Sequence, residues 1–212
     1  RMRKNALKEQ IAKGTQCLNG WVAVPNGFQA ETYAAQGWDS VTIDMQHGAP
    51  QMDDVIPLLQ AISLSGATPM VRVPWNEPGA IMRVLDAGAQ TLLFPFVQNA
   101  EEAAKAVAST RYPPEGMRGL AGMSRGSKFG TVPDYAKTAN KSIGVIVQLE
   151  TRAAITQLEK IAAVPGLLMS GGETSCIPDV ALSPSCSATS RVSVPRSSPP
   201  AAWPRQRAWR SC

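Results

Sequence analysis

Five short apolar runs, each followed by a helix-forming stretch, constrain this chain more than any other feature. They are CLNGWVAV (Cys17–Val24), SVTID (Ser40–Asp44), TPMVRV (Thr68–Val73), TLLFPFV (Thr91–Val97) and IGVIVQLE (Ile143–Glu150). Short runs that are continuously apolar read as strands covered on both faces, and strand–helix repeats build a parallel sheet. The intervening helices are predicted over Gln29–Gln36, Asp53–Ser63, Pro78–Ala87, Asn99 to about Ser109, and Thr151–Ala163, with a short amphipathic helix over Asn5–Lys13. Gly14 and Gly37 close two of them. Asn99 and Glu102 form an N-x-x-E start, in which Asn99 accepts from a free backbone N–H and Glu102 reaches back.

Two architectures satisfy this pattern: a doubly wound open sheet and a (β/α)8 TIM barrel. No G-x-G-x-x-G follows the first strand, which weakens a dinucleotide fold. Polar residues recur instead at strand C-termini: Asp44 and His47, Arg72, Gln148 and Glu150. Barrel active sites are assembled at that end, so the expected fold class is an α/β (β/α)8 barrel, with only about the first five βα units recognisable.

Composition excludes several function classes. The formal charge is +5 over 212 residues, which at first suggests nucleic acid. Much of it comes from Leu167–Cys212, where five Arg face only Glu173 and Asp179, and the charges before that segment are mixed in sign. No nucleic-acid partner is expected. No run reaches the roughly 18 apolar residues of a membrane span. The first residues, RMRKNALKEQ, have no apolar signal core, and the four cysteines lack zinc-ligand spacing, so a reducing, cytoplasmic setting is the expectation.

Each candidate for chemistry has two readings. IDMQHG places Asp44 and His47 just past a strand: a carboxylate beside an imidazole fixes its tautomer and raises its basicity, or His47 is a satisfied loop residue. Arg72 ends a buried strand and needs an anion, either a structural carboxylate or a substrate oxyanion. Glu150 is a candidate hard-metal ligand or a cap for the following helix. Asp86 sits near a helix C-terminus, where the dipole disfavours a carboxylate. It either seeks a partner or tolerates that cost at the surface. In RYPPEGMRG, Pro and Gly shape a turn, with Arg111 and Arg118 read as solvating it.

Taken together, WDSVTIDMQHG, PMVRVPWNEPG, RVLDAGAQTLLFPFVQNAEEA, RYPPEGMRG and VIVQLETRAA resemble the HpcH/HpaI aldolase family of metal-dependent (class II) pyruvate aldolases. The resemblance covers Asn5–Gly166. It implies a barrel of the phosphoenolpyruvate/pyruvate type, usually hexameric, that cleaves 4-hydroxy-2-oxo acids to pyruvate and an aldehyde with a divalent cation (Mg2+, Mn2+ or Co2+). On this resemblance Glu150 is the first metal ligand, Arg72 stabilises the enolate oxygen, His47 with Asp44 is the base dyad, Gln148 lines the pyruvate pocket, and Asp86 reaches a neighbouring subunit's site. Gln46 is a departure, since the family often has Glu before the histidine.

From Leu167 to Cys212 the resemblance and the alternation both stop. This segment is rich in Ser, Pro and Arg, has no Lys, Phe or Tyr, and holds three of the four cysteines. The family's second ligand, an Asp in a G-P-A-D-L-like motif, has no clear counterpart in GLLMSGGETSCIPD, where Glu173 is a weak substitute. The chain is therefore expected to comprise an N-terminal part of an aldolase barrel (1–166) and an aberrant tail (167–212), either frameshifted or truly disordered, with impaired activity. Competing readings are a citrate-lyase or malyl-CoA-type lyase and a non-catalytic pyruvate-binding or oligomerisation remnant.

Overall fold

The computed structural model describes residues 4–171. Glu173 and the remainder of the Ser-, Pro- and Arg-rich segment, residues 172–212, lie outside the described residues. Six parallel strands run in sequence order: β1 (Asn19–Val22), β2 (Ser40–Asp44), β3 (Thr68–Arg72), β4 (Thr91–Phe94), β5 (Gly144–Gln148) and β6 (Met169–Gly171). Each pairs with the strand before it. This order has no reversal, and a doubly wound sheet requires one at its switch point. A sheet that advances in one direction is the arc of a barrel.

The two faces of that arc are chemically different, because successive side chains point to opposite sides. Val41 and Ile43, Val71 and Val73, Leu92 and Phe94, and Val145 and Val147 point outward into the main core. There they meet α3 (Met52–Ile62), α4 (Pro78–Asp86) and α5 (Ala100–Thr110). Leu58, Leu59, Ile62, Ile81 and Leu85 are fully or almost fully buried in this layer, each worth about 1.5–3 kcal/mol in apolar transfer. The other face is the barrel interior. Its middle holds Met70 and Leu93, and α1 (Ala6–Ala12) packs Leu7 and Ile11 against them.

Helix α1 closes the end of the barrel where the strands begin. Asn5 caps it, accepting from the Lys8 N–H at 3.1 Å. Its amide nitrogen donates to the carbonyls of Gln90 (3.0 Å) and Ser142 (2.9 Å) and to Thr91 Oγ1 (2.9 Å). The Leu7 N–H donates to Thr68 Oγ1. Polar groups at the starts of β3 and β4 are thereby paired in a buried place, where an unpaired group is costly.

Most sequence-predicted elements are present, within a few residues at their ends, as is α2 (Gly27–Ala34). The Asn99 cap forms, with its Oδ1 accepting from Glu102 N at 2.8 Å; Glu102 reaches back one residue further than expected, to Gln98 N. The helix predicted over Thr151–Ala163 is two short ones, α7 (Arg152–Thr156) and α8 (Leu158–Ala162), broken at Gln157. Helix α6 (Tyr135–Ser142) has no counterpart among the predicted elements. Its sequence YAKTANKS has little apolar content, and it packs by Tyr135 and Ala139 against Tyr112 and Val132. Strand β6 also carries the alternation a few residues past Gly166, pairing Met169–Gly171 with Ile146–Gln148.

The turn RYPPEGMRG differs most from expectation. Arg111 and Arg118 do not solvate it; both are buried. Arg111 donates to the carbonyls of Ile143 and Gly166 at 3.3 Å each, tying the end of α5 to the segments that lead into β5 and β6. Arg118 pairs with Asp86 at 2.8 Å and lies over the Tyr112 ring, 4.4 Å from its centroid. Burial pushes the Tyr112 phenol up to about 12, against the lowering effect of Arg118.

Candidate active site

Period-2 alternation puts Asp44, Arg72 and Gln148 on the interior face, each the last residue of its strand. Asp44 and Arg72 are direct partners in the β2–β3 register. Their side chains form a two-point ion pair, with Arg72 Nε to Asp44 Oδ1 at 2.9 Å and Nη2 to Oδ2 at 2.7 Å. Both side chains are 8% exposed. Such a fork-on-carboxylate contact fixes both groups.

Arg72 thus has its structural carboxylate, and one of its edges is not taken by it. Nη1 points across the interior to Gln148 Oε1 at 3.5 Å, the outer limit of a hydrogen bond. The guanidinium also lies over the Trp21 ring, 4.6 Å from its centroid. Trp21 escaped sequence reasoning. The signal available was its position on β1, two residues from Asn19, on the face shared with Thr42 and Arg72.

The structure places Asp44 differently from a side-chain dyad. Its Oδ1 accepts the backbone N–H groups of Gln46 (3.0 Å) and His47 (3.1 Å), so its hydrogen bond to His47 runs through the main chain and not the ring. Burial pushes the Asp44 carboxyl up. The Arg72 hydrogen bond, the His47 amide, the Arg72 charge and the Gln46 amide together outweigh it and hold the group below its usual value. Gly48 allows the loop to fold back this closely, since a Cβ there would collide with the Asp44 carbonyl and press on Ala23 Cα at 3.1 Å. The His47 side chain is exposed at the rim. At Gln46, the departure from the family pattern, Oε1 is buried with no hydrogen-bond partner among the described residues.

Glu150 follows two residues after Gln148 and is half-buried. It does not cap the next helix: Thr151 does, accepting from Ala154 N at 3.1 Å. Glu150 Oε2 instead accepts the backbone N–H of Phe96, from the β4–α5 connection, at 2.5 Å. Among the described residues its other oxygen accepts no hydrogen bond. A carboxylate with one oxygen committed and one available suits a hard divalent ion. No group of three His, Cys, Asp or Glu among the described residues could hold a metal. Glu150 would be one ligand, and the described residues do not supply the rest of a set.

Asp86 is not brought to this end. It closes α4, which runs back toward the strand starts, and its partner there is Arg118.

The sequence pattern of the HpcH/HpaI aldolase/citrate lyase family matches residues 19–170. The chain belongs to this family. It is 43% identical over 165 residues to the 4-hydroxy-2-oxo-heptane-1,7-dioate aldolases of Salmonella dublin and Salmonella paratyphi B. That alignment takes in 77% of this chain and 63% of each relative, so the chain spans less than two thirds of their length. Among solved structures, an HpcH/HpaI aldolase/citrate lyase family protein from Burkholderia cenocepacia superposes with a TM-score of 0.77 at 40% identity, covering 80% of this chain and 68% of that one. An HpcH/HpaI aldolase from Desulfitobacterium hafniense gives 0.70 at 26% identity, covering 78% and 65%. The family match and β6 end within a residue of each other. No helix among the described residues is long and apolar enough to cross a membrane.

Proposed function

We propose that the site is that of a pyruvate-forming aldolase, which cleaves and forms 4-hydroxy-2-oxo acids. The observation that carries this is the Nη1 edge of Arg72, which Asp44 leaves uncommitted and which makes only a long contact with Gln148. Asp44 holds the guanidinium by its other two nitrogens and leaves that edge facing Gln148 and the interior. Cleavage begins when a base takes the proton from the C4 hydroxyl. The C3–C4 bond breaks, the aldehyde leaves, and the electron pair moves into the C2–C3 bond as negative charge grows on the C2 oxygen. A fixed cation aimed at that oxygen stabilises the transition state, which is the role of Arg72. Gln148 orients the acid. His47, at the rim, is the base, and Asp44 positions both Arg72 and the His47 main chain. Protonation at C3 then gives pyruvate.

A divalent ion (Mg2+, Mn2+ or Co2+), held in part by Glu150, supplies Lewis acidity when bound. We take residues 1–166 as the N-terminal part of the aldolase barrel and 167–212 as a segment read through a shifted frame, so the second ligand is lacking and turnover is impaired. Asp86 serves a neighbouring subunit's site in a homo-oligomer, the family's hexamer, which accounts for its distance from this one.

The test uses the full 212-residue chain. With Mn2+ present, pyruvate binding is measured by calorimetry and pyruvate release from a 4-hydroxy-2-oxo acid by a coupled assay. Binding that Arg72→Ala abolishes, with weak release, is the expected result. Absence of binding defeats the aldolase reading, and robust release defeats the impairment.

A further inference from the structure

Phe96 has a positive φ of 54°. Left-handed backbone is uncommon for any side chain and an outlier for a bulky one, so something must hold it. Burial of the ring does not suffice, since Phe96 is 43% exposed. What the conformation achieves is directional. It turns the Phe96 N–H onto Glu150 Oε2 at 2.5 Å, while the next N–H, of Val97, donates to the Gln148 carbonyl at 3.1 Å. Gln98 then returns to both sides: its Nε2 donates to the Phe96 carbonyl, and its Oε1 accepts from Thr151 Oγ1. The β4–α5 connection is therefore stitched to Gln148, Glu150 and Thr151 in turn.

The ring has its own partner. It stacks on Trp75, with centroids 5.7 Å apart and planes 28° from parallel. Trp75 lies three residues past Arg72, in the β3–α4 connection, and is itself 54% exposed. Two exposed aromatic rings from different connections thus meet beside the site without entering the core.

We propose that Phe96 is a positioning residue for Glu150: its left-handed backbone aims its N–H at one carboxylate oxygen, and the Trp75 stack holds that conformation. The other oxygen is thereby presented to the site. This rests on the role proposed above for Glu150.

The test compares Phe96→Gly with Phe96→Val in the full chain. Glycine adopts positive φ freely, and a β-branched residue resists it. In the metal-free chain, amide hydrogen exchange at residue 96 stays within about threefold of native for Phe96→Gly and quickens about tenfold or more for Phe96→Val and for Glu150→Ala. The amides of Leu92 on β4 and Val145 on β5 serve as controls, and their unchanged exchange confirms that the sheet is intact. Mn2+ titration alone follows the same order, with Phe96→Val weaker than Phe96→Gly. Equal exchange in the Gly and Val variants overturns the proposal, as does exchange at residue 96 that ignores Glu150→Ala. If the exchange order holds while the native chain takes up no Mn2+, the positioning role stands and the metal reading falls.

Discussion

The two ends of the same strands are built for opposite purposes. Where β3 and β4 begin, Thr68 and Thr91 are covered by α1 and paired with Leu7 N and Asn5. Where β2, β3 and β5 end, Asp44, Arg72 and Gln148 are arranged around one another, and no helix among the described residues is laid over them in the way α1 covers the other end. Under α1 the polar groups at Thr68, Gln90, Thr91 and Ser142 are satisfied by main chain and small side chains. At the other end, charge is held in place with one guanidinium edge left over. Burial alone does not mark function; what differs is whether the buried polar groups have spent their hydrogen-bonding capacity.

The largest effect expected from breaking this contrast is at Arg72. Arg72→Met strands the Asp44 carboxylate, and calorimetry should show a loss of about 3–5 kcal/mol, most of which returns when Asp44→Leu is added. The same pair gives a pH signature. Because the folded Asp44 carboxyl lies below its usual value, its contribution is fully present above the unfolded value, near 4, and is lost as pH falls through the lower folded one. The melting-temperature gap between the native chain and Asp44→Asn should therefore narrow in acid.

At the closed end, Leu7→Ala should lower stability by about 2–5 kcal/mol, measured by urea unfolding, with pyruvate affinity per folded molecule unchanged. Asn5→Ala, which removes a cap and the contacts to Gln90, Thr91 and Ser142, should cost about 1–3 kcal/mol by the same measurement. The smallest stability effect belongs to Gln148→Leu. Its contact with Arg72 is long, so the loss should stay below about 1 kcal/mol, while pyruvate binding weakens. A large stability loss with unchanged binding would make Gln148 a packing residue and blur the contrast.

The sheet was legible because its signal is local. SVTID and TPMVRV are short and rich in β-branched and apolar residues, with charge only at or next to their ends, and their strands lie at Ser40–Asp44 and Thr68–Arg72. The site was legible as a set of strand ends, since polarity at the close of an apolar run is visible in sequence. Its internal pairing was not. Nothing in IDMQHG says that the Asp44 carboxylate turns to Arg72, 28 residues on, and meets only the main chain of His47. Arg118 and Asp86, 32 residues apart, were hidden for the same reason: each alone looks like a surface charge. Helix α6 was missed because it buries only Tyr135, Ala139 and Asn140, too few for a periodic stripe.

The Asn5 amide has a consequence for how the chain reaches this structure. Its three acceptors lie 85, 86 and 137 residues further along. On a ribosome, α1 would emerge long before Ser142 exists, and it must wait while β1 through α6 are made. Contacts of such separation pay their loop-closure entropy late and form slowly. A segment made well before its partners is thus among the last to dock, and the barrel floor is sealed only after most of its wall is standing.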